Sequence, residues 1–332
     1  MKKVRAEEAI GKQLVHDMTA ILANGFKGVR FKRGHIVTSE DIPVLLSMGK
    51  EYLYLTEEGD DFVHEEDAAH RVASLALGEN IELHGPSEGK YALKAACDGL
   101  FLIDEEGLYG INSTSDYTFA TLDNKIPVKA GQTLVGARII PLFTDEANVK
   151  EAEEIAKAHA PVFTVLPYRK MSIGLVITGN EIYKGLIPDS FEGILREKMA
   201  KYSQEIASVT ICPDDDEMII EAIQQNLDQC ADLILVTGGM SVDPDDLTKN
   251  IIHQTSDEII FQGIPIQPGN MLTVGKNQGT YIVGVPGASM HSPLTSLDIF
   301  LPRIFAGLPF TKEESIRMGM GGLRICQHYP VL

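Results

Sequence analysis

A chain of 332 residues, 44% apolar and 23% charged, has the composition of a globular protein and exceeds what one simple hydrophobic core organises, so two domains are expected. Its 47 acidic against 29 basic side chains leave a formal charge of −18, which argues against nucleic-acid and anionic-membrane partners. No apolar run approaches the roughly 20 residues of a membrane helix, the first residues lack a signal-peptide core, and Cys97, Cys212, Cys230 and Cys326 show no Cys-x-x-Cys spacing. A cytoplasmic protein with reduced, mostly structural thiols is therefore expected.

Residues 1–145 mix short elements and read as a smaller α+β or β-rich domain. Ser39-Glu40-Asp41 opens a short helix stopped by Gly49, and Tyr52–Leu55 follows as a strand. Val63 to Leu77 has helical spacing, with Ala68, Ala69, Val72 and Leu75 on one side. His64 and His70, six residues apart, fall on different faces of that helix and read as surface residues rather than a metal pair. Leu100–Ile103, Leu108–Ile111 and Thr133–Ile140 are candidate strands. Residues 146–170 connect the domains, with a charged helix over Glu146–His159 and an extended linker over Pro161–Pro167.

From residue 171 to the end the pattern is strand, helix, strand, helix, strand, which predicts a three-layer, doubly wound, mostly parallel sheet. The strands are Ile173–Thr178, Val209–Cys212, Asp232–Val236 and Tyr281–Val285. Asp189-x-x-Glu192 and Asp214-x-x-Glu217 open the intervening helices. Asn277-Gln278-Gly279 is a hairpin signal, and His291–Phe305 closes the domain as an amphipathic helix.

The most informative stretch runs from Leu233 to Asp246. An apolar run ends in Thr237-Gly238-Gly239-Met240-Ser241, and Asp243-Pro244 then announces a helix. Without Cβ atoms, Gly238 and Gly239 let backbone N–H groups approach a ligand oxygen at the carboxyl end of a strand, where open α/β sheets bind ligands. The spacing matches neither a Walker loop nor a dinucleotide fingerprint, and by itself the glycine pair also reads as an ordinary strand-to-helix turn. Companion loops are expected at the same edge: Thr178-Gly179-Asn180-Glu181, Pro213-Asp214, Pro268-Gly269-Asn270 and Pro286-Gly287-Ala288-Ser289. Together they offer backbone donors, the hydroxyls of Thr178, Ser241 and Ser289, and the carboxylates of Glu181, Asp214 and Asp246. Backbone donors suit a phosphate, whereas the carboxylates suit Mg²⁺ or acid/base work, so a phosphorylated small ligand with a divalent cation is expected. Asp214 also reads as a helix cap, a role compatible with the first, and Asp189 reads as a cap.

These motifs in order, with Gly185 and Asp215, resemble the molybdopterin-binding domain of molybdenum cofactor biosynthesis proteins, found in molybdopterin adenylyltransferases and molybdotransferases. The resemblance covers about Met171 to Leu308. Glu8-Ala9-Ile10-Gly11 and His16-Asp17 more loosely resemble the start of the molybdotransferases. The family implies a pterin ligand, adenylated or metal-bound, Mg²⁺ held by the carboxylates matching Asp214 and Asp246, a contribution from Glu181, and assembly as a homo-oligomer. It further implies molybdate as co-substrate, and a carrier of the finished cofactor would have molybdoenzyme apoproteins as partners. The chain lacks the family's Ser-x-Met-Asp-Gly-Tyr-Ala stretch, carries Asp243 where a glycine is common, and reads Pro286-Gly287-Ala288-Ser289 in place of Pro-Gly-Asn-Pro. The retained carboxylates favour molybdotransferase-like insertion of molybdate; the missing stretch favours a non-catalytic carrier or sensor of the cofactor. Asp245-Asp246-Leu247-Thr248 after the glycines also resembles the competence-associated amidase family, which implies a nucleotide pyrophosphatase as a further alternative.

Overall fold

The computed structural model describes residues 2–21, 27–55, 62–240 and 247–323. The chain forms two compact units that are not divided at one point in sequence. The first comprises Met1–Ala96, Ile103–Leu122 and Gly131–Thr164; the second comprises Cys97–Leu102, Asp123–Ala130 and Val165–Leu332.

The second unit is built on a six-stranded sheet. In chain order its elements are β1 (Ile173–Thr178), α1 (Asn180–Tyr183), α2 (Phe191–Ala200), β2 (Ile206–Cys212), α3 (Asp216–Asp228), β3 (Leu233–Thr237) and α4 (Thr248–Thr255). β4 (Glu258–Gln262), β5 (Thr273–Asn277), β6 (Thr280–Gly284), α5 (Ser296–Phe305) and α6 (Lys312–Arg317) follow. The spatial order is β2-β1-β3-β6-β5-β4. β2, β1, β3 and β6 pair in parallel, whereas β5 runs antiparallel to both β6 and β4. The β5–β6 hairpin turns through Gln278 and Gly279, both at positive φ, as the Asn-Gln-Gly signal predicts.

The continuous apolar runs of β1 and β3 follow from burial on both faces. On one face Ile173, Leu175, Ile177, Leu233 and Leu235 pack with Phe191, Leu195 and Met199 of α2 and with α5. On the other, Val176, Ile234 and Val236 pack with Ile219 and Ile223 of α3 and Ile251 and Ile252 of α4. The result is the predicted three-layer arrangement.

Three expectations about the elements are corrected. The closing helix is α5, which starts at Ser296 and is buried along its whole length rather than amphipathic. Its polar groups are consumed internally: Thr295 and Asp298 form a capping box and Asp298 pairs with Lys198. The supposed linker contains a strand, Phe163–Pro167, in a three-stranded sheet with Gly99–Ile103 and Ile126–Val128. Finally, Leu108–Ile111 lies in a helix, Glu105–Ser113, capped by Asp104, which accepts the Gly107 N–H at 2.8 Å. Gly107 and Gly110 let that helix lie close to His159 and Ile155, so its glycines serve packing rather than turns.

The first unit is mixed α and β. Its four-stranded antiparallel sheet has the order Ile81–Ser87, Lys90–Ala95, Thr133–Ile139, Tyr117–Thr121. Helices Glu65–Ala76 and Glu146–Ala158 are joined by Arg71, whose guanidinium donates to Glu146 and Glu153 at 2.8–2.9 Å. Val4, Leu14, Phe31, Val37, Leu45 and Leu53 form a separate small core near the start of the chain.

His64 departs from the surface position expected of it. It is 4% exposed, and its Nδ1 caps the helix Glu65–Ala76 by accepting the Glu66 N–H at 3.2 Å. Burial, reinforced by the positive charge of Arg33, lowers its pKa from 6.5 to about 4. A histidine whose pKa falls on folding is protonated more readily when unfolded, so stability is full above about pH 6.5 and declines toward pH 4, by up to about 3 kcal/mol. The substitution His64→Asn retains a good cap and removes the titration. The melting temperature of the native protein should therefore fall more between pH 7.5 and pH 5 than that of the variant; equal falls would remove this role from His64.

Candidate functional site

The carboxyl ends of β1, β2, β3 and β6 share one edge of the sheet because the four strands are parallel. Thr273, the first residue of β5, is paired with Gly284 at the end of β6, which brings the 268–272 segment to the same edge. The five loops expected from sequence therefore leave one rim. Between β1 and β3 the chain connections diverge in opposite directions, leaving the crevice in which open α/β sheets place ligands.

At the centre of the rim lies the β3–α4 connection. Gly238 and Gly239 have φ of 86° and 52°, in the left-handed region. A Cβ on Gly238 would stand 2.3 Å from Thr178 Oγ1 and 2.6 Å from its carbonyl; one on Gly239 would stand 2.8 Å from Thr248 Oγ1. The glycine loop is thus seated directly on two threonine hydroxyls. The hydroxyls of Thr178, Thr237 and Thr248, residues 4%, 0% and 1% exposed, have no hydrogen-bond partner among the described residues. An unpaired buried hydroxyl costs about 1–3 kcal/mol, so the two that lie against the glycine loop, those of Thr178 and Thr248, are placed where water or a ligand oxygen could complete the bonding. Beside the loop is a cleft of about 380 Å³ lined by Phe191, Gly238, Gly239, Met240, Met271 and Gly287, among others. Its apolar walls and backbone donors suit a flat, partly polar molecule.

The remaining loops are tied to this centre. Asp214 is exposed, and its Oδ2 accepts the Asn180 N–H at 2.9 Å, while Gly179 N–H donates to the Cys212 carbonyl at 3.2 Å. The 178–181 and 212–215 segments are therefore one structural piece. Capping of α3 falls to Asp215, which accepts the Met218 N–H at 3.0 Å, one residue later than the Asp214-x-x-Glu217 pattern suggests. That frees Asp214 for the loop. Asp189 caps α2, accepting the N–H groups of Phe191 and Glu192 at 3.0 and 2.8 Å. Glu181 is exposed on α1.

Pro268 and Gly269 are held by Ser296, whose N–H donates to the Pro268 carbonyl at 3.2 Å and whose hydroxyl donates to the Gly269 carbonyl at 2.5 Å. Pro286 is buried, Gly287 is exposed, and Ser289 is 1% exposed with its hydroxyl 3.2 Å from that of Thr295. Ser241, Asp243, Pro244 and Asp246 lie outside the described residues. Among the described residues no three His, Cys, Asp or Glu side chains converge on a metal position. The Asp214 carboxylate has one oxygen beyond the Asn180 bond, the correct donor type for Mg²⁺.

Sequence reasoning overlooked Thr248, Phe191, Met271 and the Lys198–Asp298 pair. Thr248 had a usable signal, since it follows the glycines at the start of a helix. Phe191 and Met271 read as core positions that only packing brings to the cleft, and Lys198 and Asp298 read as surface charges whose burial only the fold reveals.

Residues 174–306 match the family described as probable molybdopterin binding domain, and residues 3–57 match a domain of unknown function. A molybdopterin molybdenumtransferase of Haemophilus influenzae is 26% identical over 144 residues, 41% of this chain and 35% of that protein. A CinA-like protein of Thermosipho melanesiensis is 37% identical over 93 residues, 28% of this chain and 23% of that protein. The chain thus spans about a third or less of the length of these relatives. The crystal structure of the molybdopterin biosynthesis enzyme MoaB from Thermus thermophilus covers 42% of this chain and 94% of its own, at 22% identity and a TM-score of 0.37.

Proposed function

We propose, from the membership of residues 174–306 in the molybdopterin-binding domain family, that this chain binds molybdopterin at the β3–α4 rim and acts in molybdotransferase-like insertion of molybdate. The observation that carries this reading is the seating of Gly238 and Gly239 on the hydroxyls of Thr178 and Thr248, which have no partner among the described residues, beside the 380 Å³ cleft. Backbone donors and hydroxyls there suit the pterin's phosphate, and the cleft suits its ring. Asp214, with Asp246 and Glu181, supplies the carboxylates. Mg²⁺ held by Asp214 and Asp246 would neutralise a pyrophosphate link in the adenylated ligand. The residues present do the rest: the Asn180 N–H fixes the Asp214 carboxylate, and the cleft walls limit water around the ring. A cytoplasmic homo-oligomer that passes the cofactor to molybdoenzyme apoproteins fits the same reading. Among the described residues no helix is long and apolar enough to cross a membrane.

The runner-up is a carrier that holds the finished cofactor without turning it over, favoured by the absent Ser-x-Met-Asp-Gly-Tyr-Ala stretch and by Ala288 at the asparagine position of Pro-Gly-Asn-Pro. Incubation with adenylated molybdopterin, Mg²⁺ and molybdate separates the two: AMP release supports insertion, and binding without release supports a carrier. Hydrolysis of ADP-ribose would instead indicate a nucleotide pyrophosphatase. Asp246→Ala should lower Mg²⁺-dependent AMP release by about 100-fold, the scale of losing one group that stabilises transition-state charge, with the circular-dichroism spectrum unchanged. Unchanged release would remove Asp246 from the site.

A further inference from the structure

We infer that Lys198, on α2, is a positioning residue for the ligand site, acting through a buried, one-directional hydrogen-bond chain to Ser289; this rests on the pterin-binding reading above. Lys198 and Asp298 are 5% and 4% exposed, and the ammonium donates to both carboxylate oxygens at 2.6 and 2.8 Å. It donates as well to the Pro293 carbonyl at 3.2 Å. Asp298 Oδ2 accepts the Thr295 N–H at 2.7 Å and the Thr295 hydroxyl at 3.0 Å.

The direction of the next link follows from proton counting. A carboxylate only accepts, so the single Thr295 hydroxyl proton points at Asp298, and the contact at 3.2 Å must be made by the Ser289 hydroxyl donating to Thr295. The Ser289 proton is therefore committed inward. Its part in ligand binding becomes indirect, through the turn it anchors: Ser289 N–H donates to the Pro286 carbonyl at 2.9 Å, and the adjoining Gly287 and Ala288 line the cleft.

The same short segment anchors a second loop, since Ser296, the neighbour of Thr295, holds the carbonyls of Pro268 and Gly269. Two of the five rim loops thus take their position from one cap at the start of α5, and the two hydrogen bonds from Lys198 hold the acceptor at its centre in place. A buried pair is a poor source of net stability, because replacing it with apolar groups of similar volume is often neutral, but it is directional in a way apolar contact is not. That difference provides the test.

The doubly substituted Lys198→Met/Asp298→Leu chain keeps an apolar filling of the same space and removes the directional links. Titrated with purified molybdopterin in a calorimeter well below its melting temperature, it should bind weaker than the native protein by about tenfold or more, the equivalent of losing one or two ordered hydrogen bonds. Lys198→Arg, which retains the charge and has a cavity of about 340 Å³ beside it to accommodate the larger head, should bind within about threefold of the native protein. Amide hydrogen exchange on ligand-free protein gives an independent readout: residues 286–296 should exchange faster in the double variant, and β1 and β3 should not. Native affinity in the double variant overturns the inference, as does unchanged exchange over 286–296. Failure of the native protein to bind molybdopterin would instead overturn the pterin reading, leaving the exchange result to decide whether Lys198 positions these loops. Should the double variant fail to fold, loss of binding in the folded Lys198→Arg chain overturns the inference and retention supports it.

Discussion

Replacing Gly238 with valine is expected to abolish detectable molybdopterin binding while leaving the α/β unit folded. Two independent costs meet at this residue. The backbone sits at φ 86°, which L residues resist by about 1–2 kcal/mol and β-branched ones by more. The new Cβ would also stand 2.3 Å from Thr178 Oγ1 and 2.6 Å from the Thr178 carbonyl. The hydroxyl can rotate away, but the carbonyl belongs to the last residue of β1 and cannot yield without disturbing the sheet. The loop must therefore lift, which withdraws its N–H groups from the position they share with Thr178 and Thr248. An affinity loss of about 100-fold or more is expected, from two or more hydrogen bonds lost to the ligand, with only a few degrees lost in melting temperature. Gly287→Ala is the matching control: Gly287 has no positive φ and nothing within 4 Å of its would-be Cβ, so bulk at that edge of the cleft should change affinity far less. Titration calorimetry on both variants checks this. Native affinity in Gly238→Val would mean that the glycine loop is only a turn.

Lys198→Met alone is expected to destabilise the second unit by about 3–5 kcal/mol, because it strands the Asp298 carboxylate without its cation at a position 4% exposed. Exposed ion pairs such as Arg317–Glu313, with both side chains more than 70% exposed, should each contribute less than about 1 kcal/mol. The comparison isolates burial as the cause. Adding Asp298→Leu to Lys198→Met should recover most of the loss, since no unpaired charge remains and the apolar replacements face the Leu297–Phe305 core. Urea unfolding of the single, double and surface variants measures these differences directly. If the single variant lost no more than a surface pair does, water would be reaching Asp298 and the buried chain to Ser289 would not operate as described.

Much of the second unit was legible in the chain itself. The uninterrupted apolar runs at Ile173–Thr178 and within Asp232–Val236 pointed to strands covered on both sides, and the period of Ile219, Ile220, Ile223 and Leu227 pointed to a helix between strands. Gly238 and Gly239 before the Asp243-Pro244 helix signal pointed to a loop whose backbone donors could be accessible. The first unit was less legible. Leu108–Ile111 contains Gly110 and directly follows Gly107, which together mimic a turn region, and their packing against Ile155 and His159 depends on a segment nearly fifty residues away. His64 alternates poorly with its neighbours, and its role as a buried cap depends on where the chain enters the helix.

By itself the amino-acid order determined which segments become the strands and helices of the α/β unit, and which loops carry glycine, hydroxyl and carboxylate, because periodicity and conformational freedom are properties of neighbouring residues. Only the tertiary structure decided which of those groups are already spent. Asp214 and Asp215 are adjacent carboxylates, yet one caps α3 and the other fixes Asn180. Ser289 and Thr178 are both buried hydroxyls at the rim, yet one is committed to Thr295 and the other has no partner among the described residues. Hydrogen bonds saturate and have direction, so the availability of each group is settled by partners up to a hundred residues distant, as between Lys198 and Asp298, and no local pattern records it.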